Sequence, residues 1–197
     1  SGEYRSKIKP FINQFIFTPL KNSNKSVFLT AENNNTGADW VGNILDEAFR
    51  GHLKQQNIKT IICTHVLEHV ENREAFCTAL LDIIPSGGYL LVSCPSRYPY
   101  HANSADTPID TMYRPNKEAL AALFPGTTLI ESAVFNDSLF SQMNIAPLKI
   151  PGYLLYYVLR LLTPFYNFKA WRYLLKRKLP YYFLFGCQSV AIILQKN

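Results

Sequence analysis

The sequence predicts an α/β fold built on a mainly parallel sheet, with a helical aromatic and basic insertion before the last strand. Thr60 to Thr64 and Tyr89 to Ser93 are nearly unbroken β-prone runs, the pattern of strands buried on both faces of a parallel sheet. Between them Phe76, Leu80, Ile83 and Ile84 recur at i, i+4, i+7 and i+8, which is one face of a helix. Strand, helix and strand within about forty residues form a βαβ unit, whose strands run parallel.

The remaining elements follow in chain order. Ile8 to Phe17 reads as a short helix, with Pro10 tolerated in its first turn. Lys21 to Lys25 is a polar turn, and Ser26 to Ala31 a strand. Glu32 to Thr36 is a loop ended by Gly37, Ala38 to Ile44 a second short strand or extended segment, and Leu45 to Gln56 a helix. Asn72 is a cap for the helix that follows, with Glu74 favourable in its first turn. Pro85 and Gly87-Gly88 stop that helix, and Pro95 is read as the stop of the next strand. Asn116 to Phe124 is a helix with Leu120, Leu123 and Phe124 on one face. Thr128 to Phe135 and Ser189 to Leu194 are the last strands.

Composition bounds the function. The chain has 197 residues, enough for one well-buried domain, so 1–197 is read as a single domain with 137–186 as a helical insertion or cap. A hydrophobic fraction of 48% and a charged fraction of 17% exclude a disordered chain. The formal charge of +6 permits nucleic acid, an anionic membrane surface or a phosphorylated substrate. Cys63, Cys77, Cys94 and Cys187 form no C-x-x-C pair, and Cys63 and Cys94 lie in apolar runs where a buried thiol is ordinary. With no signal peptide visible, a reducing, cytoplasmic setting is expected. Ile150 to Tyr166 is interrupted by Pro151, Arg160 and Pro164, too broken for a membrane span.

In parallel sheets ligands bind beyond the carboxyl ends of the strands, which places the loops after Ala31, Thr64 and Pro95 around one pocket. Thr64 and His65, at the end of their strand, are best positioned to line it. Thr64-His65-Val66-Leu67-Glu68-His69-Val70 and Ile84-Pro85-Ser86-Gly87-Gly88-Tyr89-Leu90-Leu91-Val92 stand in order across the βαβ unit. Gly37-Ala38-Asp39-Trp40-Val41-Gly42-Asn43-Ile44 precedes them. Tyr98-Pro99-Tyr100-His101 and Asp110-Thr111-Met112-Tyr113-Arg114-Pro115 follow. These segments resemble the "VLEHV", "L-x-P-G-G-x-L", "G-A-D-x-x-G-D-I" and "Y-P-Y-H…D-x-x-x-R-P" elements of class I S-adenosylmethionine-dependent methyltransferases, type 11-like. The resemblance covers roughly Ala38 to Phe135.

It implies a Rossmann-like sheet with helices on both faces, S-adenosylmethionine as cofactor and a small-molecule acceptor such as a sugar, a lipid-linked compound or a secondary metabolite. Glu32 falls where the family holds the ribose hydroxyls, a vicinal diol suited to a bidentate carboxylate. The neighbouring asparagines make a solvated loop an equal alternative. Asn43 and Ile44 fall at the adenine position, with Asn43 in place of the usual Asp. An amide still accepts from an amino group and also donates. Ser1-Gly2-Glu3-Tyr4-Arg5 resembles the tail of the glycine-rich "G-S-G-x-Y-R" turn, which would place Gly2 at the cofactor; a tag remnant is the alternative. For chemistry, His101 and Asp110 are the candidate catalytic groups, and Tyr100, Tyr113 and Arg114 the substrate-positioning ones. Asp110 and Arg114, four apart, also suit a loop-stabilising pair. A non-catalytic binding or scaffold protein of the same fold is the alternative function.

His65 to His69 also fits H-x-x-E-H. A zinc site needs both histidines on one helix face and a third ligand, and His65 directly follows a strand, so no metal is expected. Glu68 and His69 admit a structural and a ligand role alike. Beyond Ile150, an apolar run from Tyr153 to Leu162 precedes Lys169, Arg172, Lys176, Arg177 and Lys178, interleaved with Trp171 and Tyr173. That mixture suits a substrate cap, a dimer interface or peripheral membrane contact through 150–178. Confinement of the basic residues to one segment disfavours nucleic acid.

Overall fold

A computed structural model describes residues 14, 17–28, 30–32, 38–100, 109–137, 151–152, 155 and 186–197. The chain divides into two compact units, Ser1–Asn57 and Ile58–Asn197.

In the first unit Thr18–Asn22 forms a short helix, α1, with a proline in its first turn. It takes up the start of the segment read as a polar turn, because Ser23 closes it by donating to the Pro19 carbonyl at 2.9 Å. The two expected strands are short: β1, Thr30–Ala31, pairs in parallel with β2, Trp40–Val41. Aromatic packing supports this pair, with Phe28 stacked on Trp40 at 4.4 Å and His52 edge-on to the same indole at 5.6 Å. Helix α2, Glu47–Gln55, begins two residues later than the sequence indicates. Asp46 caps it, accepting from the Ala48 amide at 2.9 Å, which leaves Ile44 and Leu45 in a turn held by Arg50.

The second unit carries β3 (Thr60–Thr64), a single 3₁₀ turn (Leu67–His69), α3 (Arg73–Ile83), β4 (Tyr89–Arg97), α4 (Lys117–Ala122), β5 (Thr127–Asp137) and β6 (Cys187–Lys196). The expected cap is present: Asn72 accepts from the Ala75 amide, and Asn116 does the same for α4. Strand β4 runs past Pro95, which is accommodated where the register shifts between Pro95 and Arg97. Gly88 sits so close to the Pro85 and Lys59 carbonyls that a Cβ would lie 2.9 and 3.1 Å from them.

The four strands order as β3-β4-β6-β5. Only β3 and β4 are parallel; β6 lies between β4 and β5 and runs antiparallel to both. The expected mainly parallel sheet is therefore corrected to a mixed, mostly antiparallel one. The βαβ argument governs only the strands joined by α3. It says nothing of β6, which follows a long intervening segment, and an apolar strand carries no mark of its direction.

Burial is one-sided as well. Leu90, Val92 and Cys94 of β4 register with Leu194, Ile192 and Val190 of β6 on a buried face. Cys77, Leu80 and Ile83 of α3 and Leu120 and Phe124 at α4 fill the core with them, each such side chain contributing about 1.5–3 kcal/mol. Lys196 ties α3 to this face, donating to the Leu81 and Ile84 carbonyls at 2.8 and 2.9 Å. The opposite face, with Leu91, Ser93, Ala191 and Ile193, is half-buried, and Ile62 is 47% exposed. Burial of β3 on both faces is thus corrected too, since β3 is the edge of this sheet among the described residues.

All four cysteines are buried thiols, and burial pushes Cys63 and Cys77 up to about 12. The segment 137–186, expected as a helical insertion, lies outside the described residues except for Asp137 in β5, Pro151, Gly152 and Leu155, which are helical, and Gly186. Among the described residues no helix is long and apolar enough to cross a membrane.

Candidate functional site

Parallel pairing fixes where the candidate residues fall. In the first unit β1 and β2 run side by side, so Glu32, directly after β1, and Asn43, two residues after β2, lie beyond the carboxyl ends of adjacent strands. The Glu32 carboxylate is exposed. Asn43 is exposed too, but its Oδ1 accepts from the Leu45 amide at 2.8 Å, an Asx turn leading into α2. Ile44 is half-buried and its carbonyl accepts from Arg50. Gly2 and His101 lie outside the described residues, so the expectations placed on them stand as read from the sequence.

In the second unit β3 is the parallel neighbour of β4, and Thr64 registers with Ser93. The next residue leaves the strand sharply: the His65 amide donates to the Ser93 carbonyl at 2.9 Å while its φ is +54°. A non-glycine residue in the left-handed region costs of order 1–3 kcal/mol and persists only where the surroundings impose it. Here the 3₁₀ turn that follows imposes it by driving Leu67 and Glu68 into the interior, both 0% exposed.

A buried carboxylate must be paired. Glu68 Oε1 lies 3.6 Å from His65 Nδ1 and 3.8 Å from His69 Nε2, and Oε2 accepts from the Cys94 thiol at 3.8 Å. His69 donates its Nδ1 proton to the Ile109 carbonyl, which leaves Nε2 as the nitrogen facing Glu68. Burial pushes the Glu68 carboxyl above its usual range; its backbone hydrogen bond, His69 and Arg114 work against that shift. The Glu68 carbonyl accepts from the amide and hydroxyl of Thr111 at 2.8 and 3.0 Å. Among the described residues no three His, Cys, Asp or Glu side chains converge as a metal set.

The remaining candidates brace this turn. Asp110 is buried and engages Arg114 through both oxygens, at 2.8 and 3.1 Å, while Oδ1 also accepts from the Met112 amide. Arg114 further donates to the Tyr98 and Tyr113 carbonyls. This is the geometry of a loop-stabilising pair rather than of a base open to a substrate. Tyr113 is half-buried beneath the Arg73 guanidinium, 4.5 Å from the ring centre, and burial raises its phenol. Arg73 also holds Thr111 and the Val70 carbonyl. Tyr100 is exposed.

A cavity of about 450 Å³, within the range of small-molecule sites, opens on the half-buried sheet face. Its described lining includes His65, Leu91, Ser93, Phe135, Ser189 and Ala191, mostly from the half-buried sheet face. His65 thus lines the cavity while its ring contacts Glu68; Thr64 is not among the lining residues. Sequence reasoning singled out His65 but gave Glu68 no partner. The only signal was an acid three residues after a histidine, beside an apolar Leu67.

No family model matches the chain, and no curated protein matches it by sequence. Solved structures that resemble it include the MccD protein, at 15% identity over 91% of this chain and 73% of that one, with a TM-score of 0.46. A SAM-dependent methyltransferase from Archaeoglobus fulgidus is 13% identical over 91% and 80% of the two chains, with a TM-score of 0.47. A phosphoethanolamine N-methyltransferase from Haemonchus contortus, in complex with phosphomonomethylethanolamine and S-adenosylhomocysteine, is 12% identical over 70% of this chain, with a TM-score of 0.36. The chain spans 33% of that enzyme's length.

Proposed function

We propose that this chain is an S-adenosylmethionine-dependent methyltransferase acting on a small-molecule acceptor: a sugar, a lipid-linked compound or a secondary metabolite. One observation carries the reading: His65, assigned from sequence to the cofactor, follows the carboxyl end of β3 beside parallel β4 and lines a cavity. That is where open α/β sheets hold their ligands.

The residues present fit the cofactor. Within the first unit Glu32 is an exposed carboxylate suited to a ribose diol and Asn43 has an amide suited to an adenine edge; within the second, His65 lines a cavity of about 450 Å³. When bound, the cofactor would supply an activated methyl sulfonium. The protein's part is to orient the acceptor, exclude water and manage the proton that the acceptor loses. Asp110 and Arg114 brace the segment before α4, and Tyr100, Tyr113 and His101 are the groups assigned to the acceptor and its proton from the sequence. The chain acts as one methyltransferase domain, with 137–186 as a cap over the acceptor. It works in the cytoplasm, with peripheral membrane contact through 150–178.

Calorimetric titration with S-adenosylmethionine and S-adenosylhomocysteine tests this: saturable 1:1 binding is expected, and a flat titration of folded protein overturns it. The second reading, a non-catalytic binding or scaffold protein, draws on Asn43, whose oxygen is engaged in the turn at the adenine position. It requires cofactor binding to be absent, or present without methyl transfer to any acceptor.

A further inference from the structure

We propose that the cavity on the half-buried sheet face seats the acceptor, and that this acceptor is an organic amine: an apolar body carrying an ammonium group, which Glu131 holds. The ligand's role as acceptor rests on the methyltransferase reading, which this deepens. The binding site itself stands on the second unit alone.

Strand register gives the cavity its shape. On the face opposite the core, Leu91, Ile193 and Glu131 stand side by side on β4, β6 and β5. Ser93, Ala191 and Ala133 form the next row, and Ser189 and Phe135 lie beyond it. The middle row is small throughout, so a trough crosses the strands between larger side chains. Thr64 registers with Ser93, which places His65 at the β3 end of that trough and the Glu131 and Phe135 pair at the β5 end. Three strand spacings separate the two ends, about 14 Å.

The chemistry of the β5 end is specific. Glu131 reaches this face because β5 carries an extra residue there: Leu129 registers with Leu194, but Glu131 with Ile193. In an unbroken ladder Glu131 would stand opposite Ile192, which is 1% exposed in the core. The bulge re-aims the carboxylate onto the cavity face, as bulges beside binding sites do, and the same shift brings Phe135 there. Charge in the lining is one-sided as well. Among its described residues Glu131 is the one carboxylate, with neither lysine nor arginine beside it, in a chain of formal charge +6. None of the ion pairs among the described residues uses it.

An ammonium at this end donates a charge-assisted hydrogen bond to Glu131 and meets the Phe135 ring, while Leu91, Ile193 and the two alanines cover the apolar body. A phosphate or carboxylate in the same place meets a like charge. The phosphorylated substrate that the net charge permits is therefore not the ligand of this cavity.

The test uses the intact chain and probes of one shape, phenylbutylamine, phenylbutanol and phenylbutyrate, followed by amide ¹H–¹⁵N shifts. The amine is expected to bind about 5-fold more tightly than the alcohol, with the carboxylate weakest, and to shift the amides of Ser93, Ala191 and Phe135. Glu131→Gln, at an exposed position, removes the preference for the amine and leaves alcohol binding unchanged. An alcohol that binds wild type as tightly as the amine overturns the proposal and needs no variant to fold. Shifts that map away from the trough overturn it too, as does an amine preference that survives in Glu131→Gln. Calorimetry with S-adenosylhomocysteine on the same wild-type sample separates the two levels. If that compound binds and the amine does not, the amine seat falls and the methyltransferase reading stands. If the amine binds and S-adenosylhomocysteine does not, the acceptor role falls together with that reading.

Discussion

Replacing Asp110 with alanine leaves the Arg114 guanidinium inside the protein without its counter-charge. The pair is closed on both sides, with side-chain exposures of 11% for Arg114 and 0% for Asp110 and contacts of 2.8 and 3.1 Å. Breaking a buried pair by removing one partner costs about 3–5 kcal/mol. Arg114 retains the Tyr98 and Tyr113 carbonyls as acceptors, which places the loss at the lower end, about 3 kcal/mol. The Met112 amide loses its acceptor too, an added cost of about 1 kcal/mol. Urea denaturation followed by circular dichroism reads this as a midpoint lower by about 2 M, at an m-value of about 2 kcal/mol/M. Adding Arg114→Met to Asp110→Ala recovers part of the loss, since the double variant buries no unpaired charge, and the cycle returns about 1–3 kcal/mol of coupling. A midpoint within about 0.3 M of wild type, where an exposed ion pair would leave it, refutes the reasoning.

Other perturbations have equally definite outcomes. Burial raises the Glu68 carboxyl, so between the ordinary value of 4.5 and its folded value the native protein holds a proton that the unfolded chain has released. That contribution is full below pH 4.5 and is lost as pH rises through the window. Wild type therefore loses stability relative to Glu68→Gln as pH increases, and a pH-independent difference in unfolding free energy contradicts the assignment. Gly88→Ala forces a Cβ to 2.9 Å from the Pro85 carbonyl and lowers stability by about 2 kcal/mol. Gly87→Ala, at φ +76° with open space around it, costs only about 1 kcal/mol. Equal losses in denaturant melts would argue against that close approach. Lys196→Met removes both donations to the end of α3 and costs about 1–2 kcal/mol, read as faster amide exchange in the last turn of that helix.

What the sequence made legible was local. Asn72 and Asn116 declared their caps, the i, i+4, i+7 pattern placed α3, and the run after Lys59 placed β3, because each signal is written within a few residues. Strand direction was not legible. Val190, Ile192 and Leu194 read as a strand in either sense, and only their register with Cys94, Val92 and Leu90 settles it. The short β1-β2 pair shows the same limit, since Asp46 and Asn43 draw the flanking residues into turns that a run of apolar residues conceals. Thr64, His65, Asp110 and Arg114 were singled out by motif. The partnership of Glu68 with His65, His69 and Cys94 was not, because it depends on a 3₁₀ turn that folds an acid inward. Asp110 and Arg114 were read both as chemistry and as a brace, and their closed geometry is that of the brace.

The central claim is that the carboxyl end of β3 holds S-adenosylmethionine. Ultraviolet cross-linking of methyl-labelled S-adenosylmethionine to the intact chain, followed by tryptic mapping, tests it most directly. The label is predicted on the peptide from Thr60 to Arg73, which contains Thr64, His65 and Glu68, and is competed away by S-adenosylhomocysteine. Label that is absent, or that persists in the presence of excess competitor, contradicts the claim.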